Sequence, residues 1–136
     1  QPAALALISP WVDLSHSGES IRARASRDPM LRPSWIAAGA RFYGGGLAPD
    51  DARLSPLFAE LKGLPPMMIH VGSEEILYSD SERLAQRARA AGVDVSLHCL
   101  EGLWHDFQLQ AGLLPEADAS IAELGAFLRA KTAAGS

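Results

Sequence analysis

At 136 residues, with 48% hydrophobic and 21% charged side chains, the chain has the size and composition of one packed domain and is too apolar for intrinsic disorder. Its net charge of −4 is spread without a Lys/Arg run, which excludes a surface built to follow a phosphate backbone. No apolar stretch approaches the ~18 residues of a membrane-spanning helix, and Gln1-Pro2-Ala3-Ala4 lacks the charged flank of a signal peptide, so the chain reads as soluble and cytoplasmic.

Gln1 stands where an initiator Met is expected and is followed at once by an apolar run, Ala4 to Ile8, that reads as a buried strand. The chain therefore looks truncated. Ser9-Pro10 ends this strand, because proline cannot continue a ladder. A long Ser-, Arg-, Pro- and Gly-rich stretch follows, holding one helical segment from about Ser34 to Tyr43 in which Trp35, Ala38, Gly39 and Phe42 share a face. Gly44-Gly45-Gly46 ends that helix instead of opening one, so it reads as a C-cap and loop, not a phosphate cradle.

Met67-Met68-Ile69-His70-Val71 forms the second strand, after Pro65-Pro66 and before Gly72. Ser79-Asp80-Ser81-Glu82 fits a capping box at the start of the next helix, with Asp80 at the positive end of its dipole. Leu84, Ala88 and Ala91 face the sheet, and Gly92 supplies the left-handed stop. Val93 to Leu100 alternates apolar and polar residues, as a strand near a sheet edge does. Cys99 in this run has no disulfide partner and reads as a buried small hydrophobe. A final helix, roughly Glu116 to Ala130, places Ile121, Leu124 and Leu128 on one stripe and is followed by a small-residue tail. Strands alternating with helices give an α/β fold of about three parallel strands, with no repeat or linker, so residues 1–136 form part of one domain.

In an open parallel sheet, catalytic groups collect at the carboxyl ends of the strands. Glu74-Glu75 follows the second strand, and Gly102-Leu103-Trp104-His105-Asp106 follows the third. Neighbouring strands would bring an acid and an imidazole together there, the arrangement in which an acid orients a histidine that serves a nucleophile as general base. On spacing alone a lone loop histidine such as His105 is more often structural or merely exposed than catalytic.

The run Ser9-Pro10-Trp11-Val12-Asp13-Leu14-Ser15, then Asp28-Pro29-Met30-Leu31, Ser55-Pro56-Leu57, Gly63-Leu64-Pro65-Pro66 and Gly102-Leu103-Trp104-His105-Asp106-Phe107, closely resembles the C-terminal half of bacterial hormone-sensitive-lipase-like esterases (family IV) of the α/β-hydrolase superfamily. The resemblance runs from about Ala3 to Leu128. It implies carboxylic-ester hydrolysis through a Ser-His-acid triad, a small-molecule ester as substrate, no cofactor, and a histidine at His105. The acid falls on Glu75, where Glu75-Ile76-Leu77 replaces the commoner Asp-Pro-Leu; Glu74 and Asp80 stay open as alternatives. The family's nucleophile elbow and oxyanion loop, Gly-x-Ser-x-Gly and His-Gly-Gly-Gly, do not occur in this sequence. The N-terminal portion of the enzyme is therefore expected to supply the serine. The family also implies dimerisation through the last strand and final helix, that is, a possible homodimer.

Other polar residues read as structural. His70 is expected as a satisfied core histidine, His98 as outward-facing, and His16 as solvated; their spacings match no compact metal motif. Asp13 matches a family position that braces loops. Arg22, Arg24 and Arg27 suit loop salt bridges better than an anion site, and Leu103, Trp104 and Phe107 suit either a pocket wall or ordinary core. Two rival readings remain: a non-catalytic incomplete module that pairs with another chain through an unpaired first-strand edge, and a generic βα ligand-binding domain, which leaves the linked motifs unexplained.

Overall fold

The computed structural model describes residues 1–133; the last residues of the expected small-residue tail, Ala134 to Ser136, lie outside the described residues. Three strands, β1 (Leu5–Ile8), β2 (Met67–Gly72) and β3 (Val95–Leu100), form a sheet in the order β1-β2-β3. Both pairings are parallel, with Leu7 opposite Ile69 and His70 opposite His98. The expected α/β class with three parallel strands is thus the observed one.

The helices are α1 (Ser20–Ala23), α2 (Pro33–Gly44), α3 (Tyr78–Ala90) and α4 (Pro115–Ala133), with short 3-10 turns at Pro56–Phe58 and Phe107–Gln110. The short helix α1 and the two 3-10 turns carry too little periodicity to be visible in the sequence. Successive side chains of a strand point to opposite faces, and β2 uses this to bind two layers. Met67 and Ile69 pack with Leu84, Ala85 and Ala88 of α3, while His70 points the other way and its Nδ1 meets Ser120 Oγ of α4 at 2.8 Å. Gly92, at φ +82, then turns the chain from α3 into β3.

Several local expectations are corrected. The capping box does not form: α3 begins two residues earlier, at Tyr78 after Leu77, and has no side-chain cap. Ser79 instead accepts the Ser20 N–H at 3.0 Å, so its hydroxyl ties two segments together rather than closing its own helix. On α2 the buried side chain is Ile36, whereas Trp35 and Phe42 are exposed. On α4 the buried stripe is Ala117, Ser120 and Leu124, with Ile121 and Leu128 exposed, because the small residues of this helix are the ones that approach the sheet. Cys99 is exposed, since no strand lies beyond β3 among the described residues. His16 is half-buried, stacked on Trp11 with ring centroids 5.6 Å apart, and burial lowers its basicity against the opposing charge of Asp13.

Candidate active site

The carboxyl ends of all three strands converge on one carboxylate. Glu75 lies just past β2 and is fully buried. Its Oε1 accepts the Gly72 N–H and the Ser9 hydroxyl, each at 2.6 Å, and its Oε2 lies 3.1 Å from Nδ1 of His105, 30 residues away in sequence. Ser9, at the end of β1, also accepts the Asp106 N–H at 3.3 Å. A single hydroxyl therefore bridges the acid of the β2 loop and the backbone of the β3 loop.

The close fit of these two loops depends on Gly72. A Cβ there would sit 2.2 Å from the Leu103 carbonyl oxygen, well inside van der Waals contact. Around it, Glu74 N–H donates to Leu103 O at 2.9 Å and Gly102 N–H donates to Ser73 Oγ at 2.9 Å. Asp106 stands at φ +52, a left-handed conformation that turns the chain directly after His105. A further brace comes from buried Asp28, whose Oδ2 accepts the Ile76 N–H at 3.0 Å while Oδ1 accepts the amides of Met30 and Leu31. The acid is held from β1, from the β2 turn and from the Asp28 loop.

The His105 side chain is 14% exposed; its Nε2 lies 3.2 Å from Asp106 Oδ2. Burial works against its charged form, but the hydrogen bond donated to Glu75 and the charges of Asp106, Glu75 and Asp28 outweigh it and raise its pKa above the ordinary histidine value. An imidazole that is buried, oriented through Nδ1 and eased toward its cationic form is equipped to accept a proton at Nε2. Among the described residues no serine hydroxyl hydrogen-bonds to His105; the Ser9 hydroxyl is committed to Glu75.

The two alternative acids face elsewhere. Glu74 forms a two-pronged ion pair with Arg27 at the surface, which lowers its pKa. Asp80 is buried but turns its Oδ2 to the amides of Val12 and Asp13, both at 2.9 Å; desolvation, partly offset by these bonds, pushes its pKa to about 6. Asp13 is likewise buried: Ser15, Ser17 and Arg83 hydrogen-bond to its carboxylate and outweigh the cost of burial, lowering its pKa. Arg24 lies over the Tyr78 ring, 3.7 Å from its centroid. Phe107 is core with no exposure, whereas Leu103 and Trp104 are half-buried beside His105. A cleft of about 650 Å³ lies elsewhere, lined by residues such as Leu14, His16, Arg41 and Leu54, and contains neither Glu75 nor His105.

Ser9 and Asp28 were not singled out in the sequence as site residues. The available signals were the serine before Pro10 at a strand end and the Asp28-Pro29 turn. A second cluster was also missed: His70, His98 and Glu123 place their ligand-type atoms within 4.8 Å of one another.

A model of the alpha/beta hydrolase fold matches residues 1–109. The chain is 39% identical over 127 residues to an esterase of Acinetobacter venetianus, covering 93% of this chain and 42% of that protein. It is 38% identical over 128 residues to a putative acetyl-hydrolase of Mycobacterium tuberculosis, covering 94% of this chain and 41% of that one. Among solved structures, an esterase from the bacterial hormone-sensitive lipase family superimposes with a TM-score of 0.93 at 41% identity, covering 96% of this chain and 44% of that chain. The chain thus spans less than half the length of these relatives.

Proposed function

The chain belongs to the alpha/beta hydrolase fold family, in its hormone-sensitive-lipase-like branch, and from that premise we propose that it is the acid-and-histidine portion of a carboxylesterase. The observation that carries this reading is the buried Glu75 carboxylate set 3.1 Å from His105 Nδ1; the opposite ring nitrogen, Nε2, now beside the half-buried Asp106 carboxylate, is the one to serve a nucleophile. The serine comes from a segment outside these 136 residues, on the same polypeptide or on a second one. The outer edge of β1, where Ile8 is exposed, is the natural seat for the strands that bear it, since an unpaired apolar edge is a template for further pairing.

In the complete site the serine attacks the ester carbonyl while His105 Nε2 takes its proton. Glu75 holds the Nδ1–H tautomer and stabilises the imidazolium. The alcohol leaves with the proton returned from Nε2, and water then hydrolyses the acyl-enzyme by the same proton route. Half-buried Leu103 and Trp104 form the apolar wall beside the imidazole, suited to esters of short to medium acyl chains. Dimerisation through β3 and α4 is compatible with this arrangement.

The test is hydrolysis of p-nitrophenyl butyrate by the full-length natural protein, by its His105→Ala variant and by the 136 residues alone. Turnover in the first, a loss of at least ~10³-fold in the second and none in the third is the expected pattern. Undiminished turnover in the variant would remove His105 from the mechanism. Robust turnover by the short chain would place the nucleophile within it.

A further inference from the structure

We propose that His70, His98 and Glu123 form a binding site for one divalent transition-metal ion of the zinc class, on the face of the sheet covered by α4. The pairing of His70 with His98 across β2 and β3 puts both imidazoles side by side on the same face, nearly parallel at 17° with centroids 4.9 Å apart. Glu123 reaches over them from α4. Its Oε2 lies 3.5 Å from His70 Nε2 and its Oε1 lies 3.3 Å from His98 Nδ1.

These separations are long for hydrogen bonds. They lie near the ~3.3 Å edge of a tetrahedron whose metal–ligand bonds are ~2.0 Å; each is measured to a different Glu123 oxygen, and one ligand atom from each residue falls within 4.8 Å of the others. His70 supplies the second, independent indication. Its side chain is only 1% exposed, and its Nε2 is a buried polar atom with no hydrogen-bond partner, aimed into the cluster. A buried ring nitrogen without a partner is uncommon in a well-satisfied core.

The other nitrogen of His70 is already fixed. Nδ1 meets Ser120 Oγ at 2.8 Å, and that hydroxyl also accepts from Gln108 Nε2 at 2.9 Å. A second lone pair of Ser120 Oγ is open to Nδ1–H, and in that tautomer the Nε2 lone pair is the one presented to an ion. Metal-binding histidines are oriented in just this way through the ring nitrogen that does not touch the ion.

His98 and Glu123 are 38% and 46% exposed, so the site has an entry path and room for water as the remaining ligand. Two imidazoles and a carboxylate suit Zn²⁺ and its neighbours in the transition series rather than Mg²⁺ or Ca²⁺. The ion would tie α4 to β2 and β3 without using Glu75 or His105.

The experiment uses the full-length natural protein, free of any histidine tag and stripped with EDTA, titrated with Co²⁺ and then with Zn²⁺ as competitor. One equivalent of Co²⁺ per site with visible ligand-field absorption, displaced by Zn²⁺, is the expected result. Zn²⁺ affinity should fall at least ~10-fold in His98→Ala and in Glu123→Gln and stay unchanged in His16→Gln. Glu123 is exposed and His98 half-buried, so the outcome does not hinge on the fully buried His70 tolerating change. Absence of stoichiometric binding, or affinity that survives both substitutions, would overturn the proposal.

Discussion

Two fully buried carboxylates, Glu75 and Asp80, lie on either side of the start of α3 and do opposite things. Glu75 spends one oxygen on a hydroxyl and an amide that hold it still, and turns the other to an imidazole. Asp80 turns one oxygen to two amides of the loop after β1, and its second oxygen has no partner. Burial is the same in both; the partner decides the role. A carboxylate facing a titratable ring can steer a proton, while one facing backbone N–H groups can only fix a loop.

The sharpest test of that contrast is Glu75→Gln, which keeps an oxygen for Ser9 and Gly72 but offers His105 a neutral amide. The kcat of the full-length protein for p-nitrophenyl butyrate should fall ~10³- to 10⁴-fold, with little change in thermal midpoint. A large loss of stability with kcat per folded molecule intact would erase the distinction between the two acids.

A smaller effect is expected at Asp80. Folded Asp80 holds its proton up to about 6, whereas the unfolded chain releases it near 3.8. The folded state therefore binds more protons in that window, and the stability this group contributes below it is lost as pH rises through about 6. The loss should amount to about 2–3 kcal/mol, and Asp80→Asn should flatten it in urea titrations at a series of pH values. Asp13, whose pKa is lowered, has the reverse sign and acts below 3.8, outside this window. An unaltered slope in Asp80→Asn would mean that Asp80 is ionised throughout.

The smallest effect is expected at Asp106, one of the charges that raise the His105 pKa. Because the base must be neutral to accept a proton, Asp106→Asn should move the acidic limb of kcat/KM toward lower pH. An unmoved limb would leave Glu75 as the dominant charge at the imidazole.

The strands were legible because two are short apolar runs and the third alternates apolar and polar residues, each bounded by Pro or Gly, and the strand-end positions of Glu75 and His105 followed from the parallel sheet and the family resemblance. Ser9 was not, since nothing in Ser9-Pro10 reveals that its hydroxyl reaches an acid 66 residues away. The α2 face was misread because Trp35 and Phe42 dominate any apolar pattern, yet the helix buries Ile36. His70, His98 and Glu123 escaped because strand register and the docking of α4, not sequence spacing, bring them together.

Gly72 has a consequence for anyone who wishes to redesign this protein. Since the space for any side chain at that position is already filled by the Leu103 carbonyl, the turn carrying the acid and the turn carrying the imidazole cannot be varied as separate modules. A library that randomises one of them must either hold position 72 constant or rebuild residues 72–75 and 102–106 as a single cassette.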